Sequence, residues 1–245
     1  MGTLNEELKT WLQREAEQDY KKFSAALIPG CDNMLGIRIP LLRKKAKELA
    51  KGDWRQFLQE SEDEYFEETM VAGMVIGYAR MEIAERIEWF RQFVPRIHNW
   101  SVNDCVCSTI KLKPEEREPF WQFLMEYKDS KKEYEVRVVA VMLMNQFLLP
   151  EYIEKTVKTL ASLYDSDYYG SMGIAWALAT AYAKFPKEIK AFLHGEFPQG
   201  NSHCSDGSHL SDATYSRAIQ KMLESYRVST GDKEMLRELK RQYKK

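Results

Sequence analysis

Residues 70–79 read MVAGMVIGYA and form the longest strongly apolar run in the chain. The run is too short to cross a lipid bilayer, because a membrane-spanning helix needs about 20 residues. Within it, Gly73 and Gly77 are four residues apart and would share one face of an α-helix. Because neither residue has a side chain, a second helix can approach that face closely. The stretch therefore predicts a buried helix in a protein that does not span a membrane.

Helical patterns continue on both sides of this run. On the amino-terminal side, Thr3 and Glu6 have the spacing of a capping box, and residues 20–27 carry an apolar stripe. Pro40 and Asp53 are well placed to begin two further helices. From residue 62 onwards the predicted helices are 62–80, 82–94, 101–110, 114–127, 133–148, 150–164, 167–184, 186–194, 211–227 and 232–244.

The connections between these helices are mostly short, so consecutive helices should be antiparallel neighbours. One pair takes up roughly 35 to 40 residues, which is the period of HEAT-type and armadillo-type repeats. The chain has only 12 Gly and 8 Pro, fewer than an all-β protein of this length would need for its turns. We therefore predict an all-α protein in which residues 1–245 form a single HEAT-like repeat domain. Its architecture would be a curved superhelical stack of antiparallel helix pairs, an α-solenoid.

The charges nearly balance, since 36 Lys and Arg residues stand against 37 Asp and Glu residues and the net charge is −1. This balance predicts no strong overall attraction to nucleic acid or to an anionic membrane, although a basic face can exist within it. One local basic group consists of Arg43, Lys44, Lys45 and Lys47. Such a group is either a nucleic-acid contact or a solvated helix face, and the sequence leaves both interpretations open.

The cysteines show no disulfide or metal-binding pattern. Cys105 and Cys107 are two residues apart on a predicted helix, so their thiols point in different directions. No signal peptide is recognisable at the start, and we expect reduced thiols and a cytoplasmic location. The Gly- and Ser-rich composition of segment 195–211 predicts a flexible loop. The loop contains three potential metal ligands, but three ligands in a flexible loop would make a poor metal site. Those three potential ligands are His203, Cys204 and His209.

No phosphate-binding loop, dinucleotide fingerprint, zinc-protease motif or nucleophile elbow occurs in the sequence. Candidate chemistry rests instead on Trp100 and Asp104, which lie one helical turn apart. A structural alternative is that Ser101 caps the helix, with Asp104 as its partner three residues later, while Trp100 packs on the core. Trp176 lies in the apolar segment 173–178 and, taken alone, would be a core residue.

Arg137 follows Glu133 by four residues on a predicted helix, which by itself indicates an ordinary surface ion pair. The order and spacing of these residues along the chain say more than any one of them. The chain resembles the AlkD-like family of DNA alkylation repair proteins, HEAT-like repeat glycosylases that release alkylated purines. The resemblance covers nearly the whole length and is carried by residues 35–43 (LGIRIPLLR), 100–104 (WSVND), 136–137 (VR), 173–178 (GIAWAL) and 218–221 (AIQK).

The resemblance implies a role for individual residues. The catalytic residues that it implies are Trp100, Asp104 and Trp176. The residues that we expect on the DNA backbone are Arg137, Arg38, Arg43 and Lys44. Members of this family need no metal and no cofactor, so we expect neither. The expected partner is duplex DNA that contains alkylated purines, and we expect the protein to act as a monomer.

Two hypotheses about activity follow from the resemblance. In the first, the protein hydrolyses the glycosidic bond of cationic N3- or N7-alkylated purines, and Asp104 stabilises the charge that develops on the deoxyribose. In the second, it is a non-catalytic HEAT-like scaffold that binds DNA weakly or not at all. Retention of Asp104 favours the first hypothesis. The near-neutral charge favours the second, as does the segment 28–33, which replaces a DNA-inserting helix of active relatives.

Overall fold

The computed structural model describes residues 3–195 and 210–242. Within these ranges every regular element is helical, which confirms the predicted all-α class. The α-helices of the described residues are α1 Leu4–Glu15, α2 Gln18–Leu27, α3 Ile39–Leu49, α4 Trp54–Glu60, α5 Phe66–Tyr78, α6 Ile83–Phe93, α7 Trp100–Cys107, α8 Pro114–Met125, α9 Glu133–Gln146, α10 Ile153–Ser162, α11 Tyr168–Lys184, α12 Pro186–Leu193, α13 Asp212–Glu224 and α14 Thr230–Gln242. A short 3₁₀ turn, Val94–Arg96, follows α6. No described helix has both the length and the apolar character to cross a membrane.

The chain divides into two compact units, the first ending at Phe120 and the second beginning at Trp121. In the first unit α3 packs on α5, and α5 packs on α7. In the second unit α9 packs on α11, and α11 packs on α13. This serial packing of α3 on α5 on α7, and of α9 on α11 on α13, agrees with the predicted solenoid-like stack. The assignment of residues 1–245 to a single domain stays a prediction.

The apolar run forms α5, whose residues from Phe66 to Ile76 are all buried. Gly73 faces the side chains of Phe93 and Val106, and Gly77 faces Thr109. A side chain at either glycine would collide with these neighbours, so the close approach predicted from the spacing of the two glycines is confirmed. The contact fixes α5 directly against α7 and the residues that follow it.

The start of α5 differs from the prediction. The helix begins at Phe66 rather than at residue 62. Glu62 and Glu64, which the prediction placed in the helix, instead bind a side chain of α1. Their carboxylates accept hydrogen bonds of 2.5 and 2.6 Å from the Lys9 ammonium group on α1. The Tyr65 N–H then donates to the Glu68 carboxylate at 2.8 Å, which satisfies a backbone donor at the helix end.

A buried carboxylate on α5 orders the irregular segment that leads into α3. Glu67 is 1% exposed and accepts hydrogen bonds from three consecutive backbone N–H groups. The distances are 3.0 Å from Leu35, 2.7 Å from Gly36 and 3.2 Å from Ile37. Hydrogen bonds from several N–H groups offset the cost of burying a charge. This segment is part of 35–43, one of the stretches that carry the family resemblance.

The substitution Gly73→Ala tests the close approach of α5. We expect it to lower the free energy of unfolding by about 1–3 kcal/mol, because the new methyl group would overpack the core against Phe93 and Val106. Gly231→Ala is the matched control, since its methyl group would meet no atom within 4 Å and α14 gains a better helix former. Urea unfolding of both variants measures the difference. Equal stability of the two variants would contradict this packing.

Glu68 predicts a pH dependence of stability. The side chain is 1% exposed, and burial raises the pKa of its carboxyl above the usual value. Because the folded-state pKa is the higher one, the folded state loses stability as pH rises from about 4.5 through that pKa. Glu68→Gln keeps the acceptor for the Tyr65 N–H and removes the buried charge.

We therefore expect Glu68→Gln to raise the melting temperature at pH 7.5 and to have a smaller effect at pH 4.5. Circular dichroism melts at the two pH values check this, with the exposed Glu234→Gln as control. A gain that is the same at both pH values would show that the ionisation of Glu68 is not its source.

Candidate functional site

The first unit carries the Trp100 and Asp104 pair on α7, and the cap of this helix decides between two interpretations of the pair. The residue that caps α7 is Asn99, whose side-chain oxygen accepts a hydrogen bond from the Val102 N–H at 2.9 Å. The structural alternative, in which Ser101 caps the helix with Asp104 as its partner, is therefore wrong. Asp104 therefore has no capping role at this helix end.

Most of α7 is buried, including Val102, Asn103 and Val106. Trp100 and Asp104 are only half-buried and lie one turn apart on the same side of the helix. The Trp100 indole N–H donates to the carbonyl oxygen of Leu27, the last residue of α2, at 3.2 Å. The indole therefore connects α7 to the end of α2, and the carboxylate follows it on the same face.

Asn103 orients the Asp104 carboxylate, and sequence reasoning missed this residue. Its side-chain nitrogen donates to the Asp104 Oδ1 atom at 3.0 Å. Asn103 is 0% exposed, so packing restricts its amide to one direction. Asparagine beside the candidate aspartate was the available signal in the sequence, but only burial shows that the amide is fixed.

Arg43 contacts two other helices of the first unit. Its guanidinium donates to the Tyr78 hydroxyl on α5 at 3.0 Å and to the Ser108 hydroxyl after α7 at 2.8 Å. Burial raises the pKa of the neighbouring Cys105 thiol, while the Arg43 charge lowers it and the Asp104 charge raises it further. Arg43 thus supports the packing around α7, and its expected contact with DNA backbone stays a prediction.

The other two cations expected on DNA in this unit differ in their surroundings. Arg38, just before α3, forms a two-pronged ion pair with Glu17, with distances of 2.9 and 3.0 Å. The Arg38 guanidinium lowers the pKa of the Glu17 carboxyl. Lys44 is exposed and makes no ion pair with any residue in the described part of the chain. A phosphate would therefore compete with Glu17 for Arg38 but would meet no competitor at Lys44.

In the second unit, Arg137 and Glu133 on α9 both bind the backbone of Tyr169 at the start of α11. The Tyr169 N–H donates to the Glu133 carboxylate at 2.6 Å, and the Arg137 guanidinium donates to the Tyr169 carbonyl oxygen at 2.7 Å. Arg137 is 6% exposed, so its interpretation as half of an ordinary surface ion pair is wrong. The Arg137 side chain holds α11 against α9, and its role on DNA remains a prediction.

Trp176 is 39% exposed on α11, a helix in which most residues are fully buried. The interpretation of Trp176 as a core residue is therefore wrong. Three other residues of α11 lie on the same helix face as Trp176, because the four positions are spaced by four residues. These three, Tyr168, Met172 and Thr180, are also accessible to solvent. Large aromatic side chains that remain exposed on an otherwise buried helix indicate a surface used for binding.

A cavity of about 410 Å³ lies beside Trp176, between α11 and the end of α13. Its charged and aromatic lining includes Lys221, Glu224, Tyr226 and Arg227. Sequence reasoning did not select these residues, because a Lys or Arg on a helix surface is normally only solvated. The cavity therefore places two cations and one carboxylate beside Trp176, in a lining that also contains apolar residues.

The structure thus places Trp100 beside Asp104 in the first unit and Arg137 on the helix that supports the Trp176 helix in the second. Within the described residues, no three side chains of His, Cys, Asp or Glu come together as a metal site. The potential ligands His203, Cys204 and His209 lie outside the described residues, as does most of the predicted loop 195–211.

The chain matches a known protein family. The family model described as DNA alkylation repair enzyme matches residues 8–222. This range includes the site residues predicted from the sequence: Trp100, Asp104, Trp176, Arg137, Arg38, Arg43 and Lys44. No curated protein and no solved structure matches the chain.

Trp100→Phe tests the indole contact with α2. Without the indole N–H, the Leu27 carbonyl loses its partner, and we expect amides of residues 18–31 to exchange about fivefold faster, equivalent to one lost hydrogen bond. Hydrogen–deuterium exchange with peptide resolution measures this. Trp89→Phe removes an indole N–H elsewhere in the unit and should leave α2 unchanged. Faster exchange throughout the unit would instead indicate general destabilisation.

Proposed function

Because the chain belongs to the DNA alkylation repair enzyme family, we propose that it hydrolyses the glycosidic bond of cationic alkylated purines in duplex DNA. The main support is the placement of Asp104. Its carboxylate accepts a hydrogen bond from a buried amide and is half-exposed, one turn from an indole. A carboxylate that is both oriented and accessible is what this chemistry requires.

The reaction follows from the charge of the substrate. An N3- or N7-alkylated purine carries a positive charge, so the neutral base is a good leaving group. As the bond from the base to C1′ breaks, positive charge develops on the deoxyribose. The Asp104 carboxylate would stabilise that charge and orient the water that attacks C1′. As the new C–O bond forms, the water would give one proton to this carboxylate, which passes it to solvent.

The indoles of Trp100 and Trp176 would contribute to binding. An indole face attracts a cation through the quadrupole of its ring. Trp100 is half-buried and Trp176 is 39% exposed, so both can offer a surface to a nucleotide. Lys44 and the side chain of Arg38, which is 58% exposed, are the predicted backbone-binding cations that DNA can reach.

One observation favours the alternative, a scaffold of the same family without activity. Arg137 is buried and binds the Tyr169 carbonyl, and Arg43 bridges Tyr78 and Ser108. Together with Arg38, which pairs with Glu17, three of the four predicted contacts to DNA backbone already have partners inside the protein. A scaffold would keep these residues for packing alone.

The deciding experiment measures release of N7-methylguanine and N3-methyladenine from methylated duplex DNA, with protein in excess. We expect the wild type to exceed the spontaneous rate and Asp104→Asn to lower the rate on the order of 100-fold, because the oriented negative charge is lost. Asp129→Asn is the control, since it removes the same charge from an exposed position.

Asp104→Asn should unfold at a similar temperature to the wild type, which separates chemistry from stability. If wild-type protein releases no base above the spontaneous rate, the glycosylase proposal is overturned and the scaffold is left. If Asp104→Asn and Asp129→Asn release base equally fast, release does not depend on the Asp104 carboxylate.

A further inference from the structure

A groove of about 540 Å³ lies in the first unit, where the ends of α3 and α5 meet the start of α4. Three cations line it: Lys47 in the last turn of α3, Lys51 after that helix, and Arg80 after α5. The lining also includes Trp54 and Tyr78 but no carboxylate. The groove is therefore a concave surface with positive charge only.

Among the described residues, these cations have no partners of opposite charge. Lys47, Lys51 and Arg80 are exposed, and none makes an ion pair with a described residue. By contrast, Arg55 nearby pairs with Glu85 at 2.7 Å. Repulsion between unpaired like charges in one groove is unfavourable unless an anion neutralises them.

A cation at the end of a helix has a structural explanation, because it interacts favourably with the partial negative charge of the helix carboxyl end. That explanation covers one cation on each helix. It does not explain why Lys47 and Lys51 from α3 and Arg80 from α5 line one concavity that lacks any acidic residue.

The aromatic residues favour a phosphate over a base as the occupant. Trp54 is 6% exposed and has the Arg55 guanidinium over its ring at 4.1 Å, so a base cannot stack on it. The Lys47 ammonium group lies over the Tyr78 ring at 5.2 Å. Tyr78 is held by Arg43 through its hydroxyl. The two rings therefore form walls of the groove, and the groups that can bind an occupant are the three cations.

We infer that this groove binds a phosphodiester group of the duplex DNA backbone, through Lys47, Lys51 and Arg80. The inference rests on the proposed DNA partner, but it concerns residues outside the pair on α7. Arg43, predicted from the sequence to contact DNA itself, is a positioning residue that holds Tyr78 in the wall.

The test measures binding of a fluorescent duplex of unmodified sequence by anisotropy, at 50 and 200 mM NaCl. Lys47→Gln with Lys51→Gln removes two charges from the groove. Lys22→Gln with Lys111→Gln removes two exposed, unpaired charges elsewhere in the unit. We expect the groove variant to lose on the order of 10- to 100-fold in affinity at low salt, and the slope of log K against log salt to become shallower by about 2.

The control variant should change the affinity less than about threefold, and Lys47→Arg with Lys51→Arg should keep it, since arginine also binds phosphate. Equal losses in the groove and control variants, or no loss, would overturn the assignment. So would a lowered melting temperature of the groove variant without loss of affinity, which would leave only the stabilising role at the helix ends.

Two further outcomes would also overturn it. One is the absence of measurable duplex binding by the wild type at 50 mM NaCl. The other is binding of inorganic pyrophosphate that the groove substitutions abolish while duplex affinity is unchanged, because the site would then belong to a small phosphate compound. The duplex carries no alkylated base, so the result does not depend on whether the protein releases bases.

Discussion

The direct contact between α5 and α7 is the constraint on which the candidate site depends. Helix α7 has eight residues, too few to be stable by itself, so its position comes from packing. Gly73 and Gly77 allow α5 to approach Val106 and Thr109 with no side chain between. The direction in which Trp100 and Asp104 project is set by that approach. Two glycines that take no part in the proposed chemistry therefore set the geometry of the carboxylate.

In the second unit, buried hydrogen bonds between α9 and α11 fix the position of the helix that carries Trp176. Glu133 and Arg137 hold the N–H and carbonyl of Tyr169, and Gly173 leaves room for the Arg137 stem, whose Cγ atom would lie 3.2 Å from a Cβ there. A buried guanidinium needs such partners, because an unpaired one would be costly. Arg137, which the family resemblance predicts to contact DNA, therefore determines the position of α11 and of Trp176 on that helix.

The sequence predicted the helices well because their patterns are local: capping at Thr3 and Asp53 and apolar stripes in between. It failed where the outcome depends on distant groups. Ser101 and Asn99 are both good caps, and only the backbone direction at the start of α7 decides between them. The burial of Arg137 depends on a carbonyl 32 residues later in the chain, which no spacing rule reveals.

The near-zero net charge illustrates the same limit for binding. Many of the charges that balance one another form ion pairs, such as Arg38 with Glu17, Arg55 with Glu85 and Arg96 with Asp63. The fields of two opposite charges in a close pair largely cancel at distances greater than their separation. Unpaired cations such as Lys47, Lys51 and Arg80 contribute their full charge to a nearby phosphate. The sign of the field at one groove is therefore set by which charges are paired, and a total of −1 does not argue against DNA as the partner.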